Sequence, residues 1–452
     1  MARTLLPADG LALAIHNILS TGPRAAAELT KALGISQPTL SRTILSMPDR
    51  VIGFRVTGQR TPLYGLLRPL PMGLSPRQRI HQCLGTGQLR PFADVAFLAG
   101  GGTLEAVGGA TTLYDGLPPY MAFAAPSGFM GRHIAQQAAR SAPYPASLRD
   151  WSDEHRVAWL FSEGLNLPGN LVFGDGPLQR EMDLRGVPPV PAAERGARYV
   201  QMAASLKSVA QGSSAGGDQP KFVSLTEGPG HVIVKFARKG TRMAELLPLE
   251  HLALRALGEV GVSAAHSQLL AADDYVFLEV TRFDRVGLTG RVGLLSAGAV
   301  DDERFGQRDS WSQFATRCVQ ARLLKPRDAL QVDIMAAFSE LIGNTDRHFE
   351  NISLLIGDDG RFLGMAPAYD ILPMRYAPIG GGLDPDLSPI EPRIGSIGSS
   401  PAVWEPAARA AERFWAWAQT EKLPAPISAP MRRLAARNLE VARGFAGALR
   451  GG

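Results

Sequence analysis

The segment GNTDRHFEN, residues 343–351, limits the possible folds more than any other part of this chain. Apolar residues at 332, 335, 338, 341 and 342 mark the buried face of a helix that ends at Ile342. Directly after it come Asp346 and Asn351, then ISLLI, which reads as a strand, a turn at Asp358–Gly360, and Asp370 within MAPAYDILPM. A helix that delivers a carboxylate and an amide into one loop, with a second carboxylate returned by the following hairpin, requires a mixed α and β frame. A turn held by its own polar side chains uses the same residue types, so the rest of the chain has to decide between the two.

Upstream, HVIVKFA (His231–Ala237) reads as a strand whose one interior charge is Lys235. Glu245–Leu257 reads as a helix with Leu246, Leu249, Ala253 and Leu257 on its apolar face, and Glu250 falls on that same face. A lysine within an apolar strand and an acid on a core-facing stripe both need partners, and each fits the other. Before them, GSSAGGDQPKFVSL (Gly212–Leu225) offers small residues, Ser213, Ser214, Ala215, Gly216 and Gly217, whose backbone N–H groups can converge on an anion, with Lys221 just beyond. Alone, such a loop is also an ordinary surface turn. In this order the set matches the parts of phosphoryl transfer from Mg-ATP. Lys235, set by Glu250, holds phosphates, Asp346 orients the acceptor hydroxyl, and Asn351 and Asp370 offer oxygens to Mg2+.

SAGGDQPK, VTRFDR (280–285), IGNTDRHFEN and APAYD together resemble the HipA family of bacterial serine/threonine kinases, the toxin components of toxin–antitoxin pairs, and an N-terminal helix-turn-helix narrows the likeness to its YjjJ-type branch. The resemblance runs over approximately residues 80 to 445 and is densest from 210 to 375. It implies a two-lobed α+β protein-kinase-like fold, ATP and Mg2+ as cofactors, and autophosphorylation on Ser214, with Ser213 the neighbouring candidate, that ejects the phosphate loop. It implies that Asp346 is catalytic, that Asn351 and Asp370 are metal ligands, and that Ser213–Gly217, Lys221, Lys235, Glu279, Thr281, Phe283, Asp284 and His348 are ATP-binding. It further implies a protein substrate of the aminoacyl-tRNA synthetase kind and an antitoxin partner. Two positions depart from the family: Thr281 stands where a Glu is frequent, and Glu350 where a Lys precedes the Asn. The first alters the hinge and the second reverses a charge beside the catalytic loop.

In front of this unit, Ala25–Leu33 and Gln37 to about Met47 read as two helices around Gly34, with Ser36 as a cap. VIGFRVTGQRTPLYGLL then alternates around Gly58 as a two-stranded wing would. Leu40, Ile44 and Met47 form the buried stripe of the second helix, which leaves Gln37, Thr39, Ser41 and Arg42 on the polar face, while Arg55 and Arg60 flank the hairpin tip. Residues 1–70 carry eight basic and three acidic side chains, so the whole net charge of +5 belongs to this segment, where a nucleic-acid backbone is the natural counter-charge. A protein-adaptor role suits the same helices.

The expected layout is a winged helix-turn-helix at 1–70, a HipA-like N-terminal subdomain at 71–200, a kinase N-lobe with loop and hinge at 201–290, and a helical C-lobe at 291–452. RPLPM (68–72) is the first linker. The triple glycine at 100–102 reads as a hairpin turn, not a phosphate cradle, because no strand-to-helix pattern with a lysine follows it. The Gly-, Pro- and Ser-rich stretch 379–400 reads as a loop near the active site. Two cysteines, Cys83 and Cys318, support neither a disulfide framework nor a zinc site. The opening residues do not resemble a secretory signal and no long uncharged apolar run occurs, so a cytoplasmic protein without membrane contact is expected. Two other functions fit part of the pattern: a small-molecule phosphotransferase, which shares the Asp-x4-Asn loop and late Asp, and a DNA-binding regulator with an inert kinase-like domain.

Overall fold

The computed structural model describes residues 8–206, 219–379 and 383–451. Three helices open the chain, Ala8–Leu19, Ala26–Leu33 and Gln37–Leu45. Gly34 makes the turn between the last two at φ 65, a left-handed conformation that a Cβ would disfavour. Ser36 caps the third helix by accepting from the Thr39 N–H at 3.4 Å, and the helix stops at Leu45, short of the expected Met47. β1 (Arg24–Ala25), β2 (Val51–Phe54) and β3 (Leu63–Leu66) form a small sheet in the order β1-β3-β2. Leu11, Ile15, Leu19, Leu29, Leu40 and Ile44 close its core against the helices. The loop joining β2 and β3 leans on the next unit: the Thr57 N–H donates to the Thr111 carbonyl, and the Thr111 N–H to Thr57 Oγ1, both at 2.8 Å.

That unit is a five-stranded antiparallel sheet of β4 (Arg77–Cys83), β5 (Leu89–Phe97), β6 (Thr103–Val107), β7 (Ala110–Tyr114) and β8 (Leu171–Phe173), ordered β7-β6-β5-β4-β8. The triple glycine forms the β5–β6 hairpin turn. Gly100 sits at φ 81, and a Cβ there would come within 2.8 Å of Gly22 Cα, so this turn also lets the first two units approach. Helices Gly128–Ser141 and Asp153–Glu163 cover the sheet, burying Phe97, Trp151, Leu160 and Phe161.

A second antiparallel sheet follows, made of β9 (Lys221–Thr226), β10 (Gly230–Arg238), β11 (Ser267–Ala272) and β12 (Tyr275–Thr281), in the order β11-β12-β10-β9. The helix Arg242–Glu259 connects β10 to β11. It starts earlier than the expected Glu245 because Thr241 caps it, accepting from the Ala244 N–H at 3.3 Å. The hairpin β13 (Arg285–Val286) and β14 (Gly290–Arg291) leads into a third sheet of β15 (Gly293–Ser296), β16 (Ser353–Ile356) and β17 (Phe362–Met365). The remainder is mostly helical. Helices 311–320, 326–342, 401–420 and 429–451 share one large core with Leu246, Leu249 and Leu252 of the 242–259 helix, which ties the second sheet to the helical part. Both cysteines are buried and unpaired. No helix among the described residues is long and apolar enough to cross a membrane.

Candidate active site

Lys235 lies on β10, between β9 and β12, with Leu278 and Lys221 as its cross-strand neighbours. Lys235 is 5% exposed, so its ammonium must be neutralised within the protein. Nζ donates to Glu250 Oε1 at 2.6 Å and Oε2 at 2.7 Å, and to Asp370 Oδ1 at 2.6 Å. Lys221 Nζ stands 4.0 Å from the other oxygen of Asp370. Burial alone would push the Lys235 ammonium down, but Asp370 and Glu250 outweigh it and hold it above the ordinary lysine value. For Asp370 burial opposes ionisation, and Lys235, then Lys221, keep the carboxyl well below the usual range. Asp370 also has φ 56, which is uncommon for a residue with a side chain and a mark of a position held by its surroundings.

The catalytic-loop candidates sit where the helix Pro326–Ile342 ends on Gly343 at φ 76. The Asp346 N–H donates to Asn344 Oδ1 at 3.0 Å, and Asn351 Nδ2 donates to the Asp346 carbonyl at 2.9 Å. Asn351 Oδ1 carries no hydrogen bond among the described residues. Trp311 Nε1 donates to the His348 carbonyl at 3.1 Å. His348 spans the loop, with Nε2 3.4 Å from Asp346 Oδ1 and Nδ1 3.2 Å from Glu350 Oε2. The charge reversal at Glu350 is offset locally, because Arg308 Nη1 meets Glu350 Oε1 at 2.5 Å. His348 and Arg308 hold the Glu350 carboxyl down at about 2, and Glu350 first, then Asp346, raise His348 above the ordinary imidazole value. A raised value means that the contact is complete below the ordinary imidazole range and is lost as pH rises through the folded value. The expected result is a His348 titration by NMR that lies above that of a free histidine and falls back toward it in Glu350→Gln.

Tyr369, which sequence reasoning passed over, joins these parts. Its hydroxyl donates to the Glu350 carbonyl at 2.8 Å and accepts from Ser353 Oγ at 2.7 Å, and its ring packs on Phe283 with centroids 5.5 Å apart. The only signal was an aromatic residue directly before Asp370. Beside Asp346 opens a cavity of about 400 Å3 lined by Trp311, Glu340, Arg347 and residues 394–397, which brings this short part of the Gly-, Pro- and Ser-rich stretch to the site.

The structure thus gathers Lys221, Lys235, Glu250 and Asp370 in one cluster, and Asp346, His348 and Asn351 in the loop beside it. Thr281 ends β12 and Phe283 packs on Tyr369. Glu279 and Asp284 are engaged elsewhere. Glu279 is buried and accepts from Tyr199 Oη at 2.5 Å and Arg195 Nη1 at 2.9 Å. Asp284 accepts from Arg282 Nε and Nη2, from Arg285 Nη1 at 2.8 Å and from the Gly169 N–H at 2.8 Å. Ser213, Ser214, Ala215, Gly216 and Gly217 lie outside the described residues. In the first unit Gln37, Arg42, Arg55 and Arg60 are exposed, and Thr39 and Ser41 are half-buried.

The family described as YjjJ-like toxin, middle domain, matches residues 74–182, and the HipA-like C-terminal domain matches residues 213–424. Toxin YjjJ of Escherichia coli (strain K12) is 32% identical over 433 residues, which is 93% of this chain and 95% of that protein. Among solved structures, a chain from the Shewanella oneidensis MR-1 toxin–antitoxin complex of HipA, HipB and operator DNA aligns over 83% of this chain and 99% of its own, with a TM-score of 0.50 and 14% identity. At that identity the likeness speaks for the fold alone.

Proposed function

We propose, from the premise that the chain belongs to the YjjJ-like toxins with a HipA-like C-terminal domain, that it is an ATP-dependent serine/threonine protein kinase. The observation that carries this reading is the Lys235–Glu250–Asp370 cluster, buried at Lys235 and Glu250, beside the Asp346–Asn351 loop. A lysine fixed between two carboxylates is a rigid positive point for the α- and β-phosphates of ATP, and its rigidity removes the cost of reorganising at the moment of transfer. Asp346, half-exposed at the edge of the cavity, orients the acceptor hydroxyl and takes its proton. His348 and Asn351 hold that loop in shape from either side.

The donors fit magnesium. Asn351 Oδ1 and the Asp370 carboxylate are oxygen ligands of the kind a hard cation takes. When bound there, magnesium would neutralise charge on the transferring phosphate. Ser214, or Ser213 beside it, is the self-phosphorylation site in this reading, since a phosphate's negative charge would repel ATP from the same loop.

We read residues 1–70 as a winged helix-turn-helix that contacts DNA through Gln37, Thr39, Ser41 and Arg42, with Arg55 and Arg60 on the backbone. The HipA neighbour was solved with HipB and operator DNA, which supports DNA and an antitoxin as partners for this chain too. A cytoplasmic aminoacyl-tRNA synthetase is the protein substrate that the resemblance implies. The test is transfer of labelled γ-phosphate from ATP to a panel of purified synthetases, with and without Mg2+. Incorporation on serine or threonine that needs Mg2+ and disappears in Asn351→Ala supports the reading. Transfer only to small molecules, or none, refutes it.

A further inference from the structure

A second cavity, of about 660 Å3 and lined by none of Lys221, Lys235, Glu250 and Asp370, lies between the β4–β8 sheet and the β15–β17 sheet. Six aromatic residues, Phe92, Tyr114, Tyr120, Phe123, Phe173 and Phe362, form part of its wall beside the charged Arg90, Glu303, Arg304, Asp358 and Asp359, and Phe92 meets Tyr120 edge to face at 6.3 Å. Into this wall is set Glu105 of β6, 7% exposed. Its Oε1 accepts from Tyr120 Oη at 2.5 Å and its Oε2 from Tyr114 Oη at 3.2 Å. No basic side chain pairs with Glu105 among the described residues. The two arginines that line the cavity are committed elsewhere: Arg90 donates to Gln82 Oε1 and to the Asp358 carbonyl, and Arg304 stands 3.4 Å from Glu303. Burial pushes the Glu105 carboxyl up, the two tyrosines oppose this, and the nearby Glu303 adds to the rise.

A buried acid without a counter-ion is costly unless something else supplies the charge. Aromatic faces around a carboxylate are the chemistry that recognises an organic ammonium group, and the volume suits a small molecule.

We propose that this cavity is a binding site for a small organic cation, an arylalkylamine whose ammonium group pairs with Glu105 against the aromatic side chains of the wall. The site is separate from the phosphoryl-transfer cluster and is read without enzyme activity, so it stands or falls independently of the kinase reading.

The experiment is isothermal titration of the full chain with tyramine and with 4-ethylphenol, which keeps the ring and hydroxyl but lacks the charge. Tyramine is expected to bind saturably in the millimolar range or tighter, and 4-ethylphenol at least roughly tenfold more weakly, the loss of one charge-assisted contact. Glu105→Gln, which keeps a polar group for Tyr114 and Tyr120, should bring tyramine down to the level of 4-ethylphenol. Phe92→Leu, an apolar change that removes part of the wall, should weaken tyramine as well and decides the matter if Glu105→Gln does not fold. Equal binding of the two probes, unchanged tyramine binding in the folded variants, or no saturable tyramine binding would overturn the proposal.

Discussion

Replacing Lys235 by Met is expected to cut phosphoryl transfer by roughly 100- to 1,000-fold, the usual effect of losing one preorganised electrostatic contact to the transition state. It should also lower stability by about 3–5 kcal/mol, because Glu250 would be left as a buried carboxylate with no cation. The two effects separate in a double variant. Lys235→Met with Glu250→Met removes both buried charges and should recover most of the lost stability while remaining inactive, since an apolar pair of similar volume tolerates burial better than half an ion pair. The dependence on pH follows from the same groups. In the parent, the depressed carboxyl of Asp370 contributes stability above the ordinary carboxylate range, which is lost as pH falls toward its folded value. In Lys235→Met that contribution disappears and acidification should relieve part of the defect, because protonating Glu250 and Asp370 removes the unpaired charge. Thermal melts from neutral to acid pH, alongside transfer assays, measure both consequences.

The second large effect lies at Asp284. Its carboxylate binds Arg282 and Arg285 and the Gly169 N–H, and the same arginines reach Asn166 Oδ1 and the Leu167 carbonyl. The segment 166–169 is thereby fastened to the end of β12, next to Phe283. Asp284→Asn removes the charge that neutralises two buried guanidinium groups, and we expect a loss of about 3 kcal/mol in urea unfolding. Burial opposes ionisation of Asp284, but Arg282 and Arg285 hold its carboxyl well below the usual range. Its contribution is therefore present above the ordinary carboxylate value and fades as pH falls toward the folded one. The parent should lose stability on acidification more steeply than Asp284→Asn. A variant that melts like the parent at neutral pH would show that the network is not a structural joint.

These residues also show what could be read in the sequence. Lys235 and Glu250 stood out because each breaks an apolar pattern of known period, and a charge in a core stripe has few partners available. Asp346 and Asn351 stood out because a buried helix ends just before them. The joint at Asp284 gave no such sign. Its partners come from residues 166–169, more than a hundred positions earlier, and VTRFDR stands out in the sequence only through the family resemblance, as a nucleotide contact. The same holds for Glu279, whose partners Arg195 and Tyr199 sit on the Arg195–Ser205 helix. The charge reversal at Glu350 was visible, but its neutraliser Arg308 belongs to the loop between helices 297–304 and 311–320, and no local pattern links the two. The order of the first large sheet was equally hidden, since β8 joins β4 from the far side of the helices Pro119–Ala124, Gly128–Ser141 and Asp153–Glu163. Local periodicity identifies which residues need partners, and only the fold says which partners they find.

The central claim is that the chain transfers the γ-phosphate of Mg-ATP to a hydroxyl, with Asp346 as its catalytic acid–base residue. The most direct measurement is intact and peptide mass of the purified full chain before and after incubation with Mg-ATP, with Asp346→Asn in parallel and any phosphate carried from expression removed first. The account predicts a gain of one phosphate on Ser214 or Ser213 in the parent and none in Asp346→Asn. An Asp346→Asn protein that gains phosphate as fast as the parent, or a parent that modifies neither serine nor any added synthetase, would contradict it.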